Sequence, residues 1–213
     1  MALNKLKFNS LNVTPTAGKT VGFNSDADGL EATLSGGAMT FISKSTASSS
    51  STINFTSGID STYKEYIFVF KDIHPANDSV DFQVNFRDGG SDYDATKTTT
   101  VFNAFHQEDD SPATLEYHGD YDLAQSTADQ VLAHNIGNDN DQCLSGVMHL
   151  FNPSSTTFVK HFIANIQFYH SVEYSINRYV AGYCNVTAAI DGVQFKMGSG
   201  NIDAGTITLY GIN

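Results

Sequence analysis

The chain has 213 residues and 23.1 kDa, the size of one ordinary domain with an appendage. Its 11 basic and 23 acidic side chains leave a formal charge of −12, which argues against binding nucleic acid phosphates or anionic membranes. Hydrophobic residues make up 40%, with 15 Phe, 10 Tyr and no Trp, enough for a sizeable core and against wholesale disorder.

Residues 1–45 carry four Lys and three acids, a net of +1, whereas residues 46–213 carry seven bases and twenty acids, a net of −13. The first segment is rich in Gly, Asn and Thr, and its short apolar pieces at Leu6, Phe8, Leu11, Val21 and Phe23 cannot close a core of their own. It reads as an N-terminal arm that docks onto a partner. No apolar run there has the character of a secretory signal. Nowhere does one approach the roughly 20 residues of a membrane-spanning helix, so a soluble product without membrane insertion is expected. The run Ser43–Ser51 reads as a linker or an exposed strand edge, and a boundary is drawn there, dividing 1–45 from 46–213.

From Thr52 onward the dominant period is two, the mark of strands with one face in and one face out. Strands are predicted at Ile53–Phe55, Tyr66–Phe70, Asp81–Arg87, Thr98–Phe105, Val147–Phe151, Phe158–Phe168, Arg178–Cys184, Gly192–Met197 and Thr206–Ile212. Phe82, Val84 and Phe86 share one face, and the following Asp88-Gly89-Gly90-Ser91 reads as a hairpin turn. One helix is a candidate at Asp122–His134, with Ser126 as its cap and Asp129 three residues on; an extended reading through Gln130–Ala133 fits equally well. Short strands separated by turns predict an all-β fold, an antiparallel β-sandwich of jelly-roll type with an extended N-terminal arm.

Several motifs fail on spacing. Thr16-Ala17-Gly18-Lys19-Thr20 lacks the earlier glycine of a phosphate loop, since Val13 stands there. Asn24–Gly29 spaces oxygens as a calcium loop does, but Ser35 occupies the place of the closing carboxylate. Asn138–Asp141 has too few carboxylates to hold a cation tightly. Cys143 and Cys184 follow no metal or redox spacing and read as free buried thiols. Seven scattered histidines form no ligand pair, and no nucleophile elbow or zinc motif is present. No cofactor, metal or catalytic residue is therefore expected.

The segment Glu116–Asp122 is the most suggestive polar cluster. Tyr117, His118, Asp120 and Tyr121 combine aromatic faces with a carboxylate beside Gly119, the parts of a shallow glycan site. The plainer reading, a solvated loop whose tyrosines cover the edge of the core, is favoured because Tyr is commonly part-buried and Trp is absent. Tyr169-His170 with Tyr174 and Tyr179 makes a second such surface.

Four phrases carry a family likeness: Met1–Asn9, Asp60–Phe68, Asp88-Gly89-Gly90-Ser91 and Gly200–Ile212. Together they resemble small virion proteins of tailed phages of marine bacteria, including cyanophages. The resemblance implies a jelly-roll particle component whose N-terminal segment docks to coat, tail or fibre subunits, and it implies a homotrimer. It transfers no catalytic residue. The expectation is a non-enzymatic virion surface protein, a short fibre or knob assisting host attachment, with a host-surface glycan as a possible partner. The runner-up is a capsid decoration protein stabilising the head shell; a tail-associated glycan hydrolase is a third reading without a motif behind it.

Overall fold

The computed structural model describes residues 19–23, 30–34 and 38–213. The chain divides into two compact units, Met1–Ala38 and Met39–Asn213. In the first, β1 (Lys19–Phe23) pairs antiparallel with β2 (Leu30–Leu34), placing Phe23 opposite Leu30 and Val21 opposite Ala32. Among the predicted arm residues, Val21 and Phe23 lie in this hairpin, and Leu6, Phe8 and Leu11 fall outside the described residues.

The second unit is all-β. Its strands are β3 (Met39–Thr46), β4 (Ile53–Phe55), β5 (Glu65–Pro75), β6 (Val80–Arg87), β7 (Lys97–Gln107), β8 (Ala113–Tyr117), β9 (Gln130–Ile136), β10 (Leu144–Phe151), β11 (Lys160–His170), β12 (Tyr174–Cys184), β13 (Gly192–Met197) and β14 (Ile202–Ile212). They form one antiparallel 12-stranded sheet. A long run, β3-β14-β5-β10-β11-β12-β7-β8, and a short run, β9-β6-β13-β4, join through the single pair His170↔Ile136. The sheet thereby closes nearly into a barrel.

Phenylalanines fill the space between the runs. Phe195 of β13 lies 5.3 Å from Phe68 and 5.1 Å from Phe70 of β5, ring centre to ring centre, and 6.2 Å from Phe55 and 5.8 Å from Phe82. Phe86 meets Phe162 at 4.9 Å in the same way. The predicted shared face of Phe82, Val84 and Phe86 is wholly buried. Phe195 meets Phe55, Phe68 and Phe70 edge-on and stacks on Phe82, and such ring pairs add to the hydrophobic gain from removing large apolar surfaces from water.

Some sequence expectations change, and two left open are decided. The compact body begins at Met39, not at residue 46, because β3 zips along β14 from Ile212↔Met39 to Thr206↔Thr46. The serine run continues that edge, with Ala47 N–H donating to Gly205 O at 2.9 Å and Ser50 N–H to Ile202 O at 2.8 Å. Of the two readings of Asp122–His134 the extended one holds: no helix forms there, and Gln130–Ile136 is strand β9, with Leu132, Ala133 and His134 all buried. Gly89–Ser91 is not a hairpin turn: β6 is already flanked by β9 and β13, so the chain crosses from the short run to the long one. Finally, Glu116 and Tyr117, at the start of the segment Glu116–Asp122 read as a solvated loop, close the edge strand β8.

The C-terminal strands are central: β11 through β14 each pair on both sides. Truncating the ring at the middle of the core, Phe195→Ala, should cost about 3–5 kcal/mol, read as a lower urea midpoint with an unchanged slope.

Candidate functional site

The least expected feature of the interior is a buried guanidinium. Arg178 stands at the inward parity of β12, between Ile176 and Val180, and is wholly buried. Cross-strand pairing sets it opposite Asn103 of β7 and Ile166 of β11. Arg178 Nε donates to Asn103 Oδ1 at 2.8 Å, and Nη2 donates to His134 Nδ1 at 2.6 Å and to His118 Nδ1 at 3.0 Å. The guanidinium carbon lies 4.6 Å from the centre of the Tyr121 ring, a cation–π arrangement. Nη1 has no hydrogen-bond partner among the described residues.

An arginine cannot accept a hydrogen bond, so both imidazoles must present Nδ1 lone pairs to it and carry their protons on Nε2. His170 follows the same rule, because its Nδ1 accepts from the Val172 N–H at 3.2 Å. Burial, and secondarily the Arg178 charge, holds His118 and His170 below the ordinary histidine range and His134 down at about 2. Burial likewise brings Arg178 down to about 10, still protonated at neutral pH. The result is a fixed cation among three neutral rings whose Nε2–H groups are donors.

A cavity of about 160 Å³ opens beside this cluster, lined by Asn103, Phe105, Glu116, His134, His170, Tyr174 and Ile176. Phe105 and Tyr174 meet edge to face at 5.4 Å on one wall, and Glu116 is exposed. Two broader hollows share Asp141 and Cys143, just before the start of β10. Neither holds a comparable concentration of buried polar groups.

The four predicted glycan residues separate. His118 and Tyr121 turn inward, their rings 4.6 Å apart, and belong to the Arg178 cluster. Tyr117 and Asp120 stay on the surface, where the Tyr117 hydroxyl donates to Asp122 Oδ2. The segment Glu116–Asp122 therefore contributes Glu116, His118 and Tyr121 to a deeper site built mainly by Asn103, His134, His170, Tyr174 and Arg178. A signal for it was present in the pattern: Asn103 falls at the inward parity between Val101 and Phe105, as Arg178 does in its strand. His134 lay in the segment where helix and strand competed.

Among the described residues, no group of three or more His, Cys, Asp or Glu could hold a metal ion. Cys143 and Cys184 are free thiols, and burial pushes Cys184 up to about 12. His149 bonds through Nδ1 to Glu65 Oε1 at 2.6 Å. No family model matches the chain, and no curated protein matches it either.

The neutral imidazoles make the fold sensitive to acid. A histidine whose folded pKa lies below its unfolded value stabilises fully above about pH 6.5, and that contribution is lost as pH falls, because the unfolded chain takes up the proton. Below pH 6.5 His134 alone should lower the unfolding free energy by ~1.4 kcal/mol per pH unit. Urea titrations at pH 7.5 and pH 5 read the loss, and a His134→Gln variant should flatten it; equal slopes for both proteins would refute the buried neutral ring.

Proposed function

We propose that the chain is a non-enzymatic virion surface protein of a tailed phage, a short fibre or knob that assists attachment to the host. Its body serves as a jelly-roll-type β-sandwich, and its N-terminal segment docks to coat, tail or fibre subunits. The family likeness in the sequence adds a homotrimer and a location on the virion surface.

The observation that carries the reading is the β1–β2 hairpin. Phe23 is 75% exposed and sits directly opposite Leu30, itself exposed. A lone two-stranded hairpin is marginal in water, and an apolar ring displayed on one is a means of binding another protein. The acidic body supports the same reading, since a large net charge of one sign keeps crowded particles dispersed. For the host side, the cavity beside Arg178 offers imidazole donors and aromatic walls in a space fit for one sugar ring or a carboxylate. Its neutral, prearranged donors suit the hydroxyls of a glycan.

Two experiments test the two halves. Phe23→Asp should abolish incorporation into particles while the melting temperature of the body is unchanged; normal incorporation would refute docking through this hairpin. Excess purified protein should compete with particles for adsorption to host cells, and His170→Ala with Tyr174→Ala should lose that competition. Copy number by imaging intact particles separates this reading from a capsid decoration protein, which would be present in hundreds of copies instead of tens.

A further inference from the structure

A second buried cation stands away from the Arg178 cluster. Lys97 opens β7 with its side chain wholly buried. Its Nζ lies 2.6 Å from Asn85 Oδ1 and 2.7 Å from the Ala95 carbonyl oxygen. Among the described residues it forms no ion pair within 4.0 Å.

Asn85 is 3% exposed although it lies between the inward residues Val84 and Phe86 of β6. Four partners fix its amide. Oδ1 accepts from Lys97 Nζ and from the Phe86 N–H at 2.9 Å, while Nδ2 donates to Thr127 O and to Asp129 Oδ1, each at 3.0 Å. Two donors face the oxygen and two acceptors face the nitrogen, so the amide cannot be the other way round. The second oxygen of Asp129 is held by Lys196 Nζ at 2.7 Å.

These are the parts of an acyl transfer. We propose that Lys97 and Asn85 join through an intramolecular isopeptide bond, with Asp129 carrying the proton. The neutral Nζ attacks Asn85 Cγ; a nitrogen at hydrogen-bond distance from the carbonyl oxygen is roughly 3–4 Å from that carbon, within reach of a reactive approach. As the new C–N bond forms, the carbonyl electron pair moves onto Oδ1, where the Phe86 N–H stabilises the developing charge. The nitrogen from Lys97 gives a proton to the Asp129 carboxylate, Asp129 passes it to Nδ2, the Cγ–Nδ2 bond breaks and ammonia leaves. An amine and a primary amide become a secondary amide and ammonia, with no oxidant, cofactor or second substrate.

The surroundings favour the step. Burial pulls the Lys97 amine down to about 8, so roughly a tenth of it is unprotonated at pH 7, and the same burial excludes water. Lys160 provides the contrast within the same body. It is equally buried, but its Nζ rests on three backbone carbonyls, of Ser155, Phe158 and Val186, at 3.1, 3.4 and 2.7 Å. That is how a buried lysine is solvated when nothing more is asked of it; Lys97 faces a side-chain amide backed by a carboxylate. The bond would tie β6 of the short run to β7 of the long run.

Mass spectrometry of the intact full-length protein decides. The expected mass is that of the sequence less one ammonia. Trypsin should fail to cut after Lys97 and should release a branched peptide joining segments 72–87 and 88–160. Lys97→Arg and Asp129→Asn should both return the full sequence mass. A wild-type mass equal to the sequence overturns the proposal. So does ammonia loss with normal cleavage after Lys97, the signature of a cyclised asparagine elsewhere. A branched peptide that persists in Asp129→Asn overturns the role given to Asp129.

Discussion

Three cations, Lys97, Lys160 and Arg178, lie wholly inside a body whose chain carries a net −12, and none of them meets a carboxylate at ion-pair distance among the described residues. Taking an ammonium or guanidinium out of water costs several kcal/mol, so each one dictates its surroundings. The N–H groups must find neutral acceptors, and the acceptors must be turned the right way. That requirement orients Asn85, Asn103, His118 and His134 and draws the backbone carbonyls of Ser155, Phe158 and Val186 toward one nitrogen. Lys97 and Lys160 flank Cys184 in register across three neighbouring strands, so the polar interior and the strand register specify each other.

The carboxylates are absent from this interior because of where the chain puts them. Seventeen of the twenty acids beyond residue 45 lie between Asp60 and Asp141, where crossings, turns and the edge strand face water. The strands that carry Lys160 and Arg178, β11 and β12, hold no acidic residue at all. A buried carboxylate partner would have strengthened these cations as ion pairs; neutral partners leave them poised instead. The orphaned Nη1 of Arg178 and the amide-facing Nζ of Lys97 are two results of that one arrangement.

Much of this body was legible from alternation alone. Phe82, Val84 and Phe86 face inward as a period of two requires, and β13 occupies the predicted Gly192–Met197. What alternation does not encode is which strands meet. Gly89-Gly90 looks like a hairpin turn in any local window, yet the two edges of β6 are taken by β9 and β13, and only the global topology records that. The serine run was ambiguous for a related reason, since small polar residues suit a linker and an edge strand alike; β14 settles it by offering a free edge. The site was half visible. His118 and Tyr121 were singled out for their local company, whereas Arg178 and Asn103 required treating a polar residue at inward parity as a statement about the interior. Asn85 was hidden more deeply, because its position between Val84 and Phe86 predicts a solvent-facing side chain.

One rim of the long run is left open. All five residues of β8 are exposed, it pairs only with β7, and Pro112 and Glu116 stand on and beside it. An unpaired strand edge is a template on which another copy can add its own backbone, and brevity, a proline and a charge are the usual deterrents. Two copies of this chain that meet along this margin therefore find only five residues of backbone to share, with a carboxylate among them and a proline at its start, so the rim does not seed a continuous sheet.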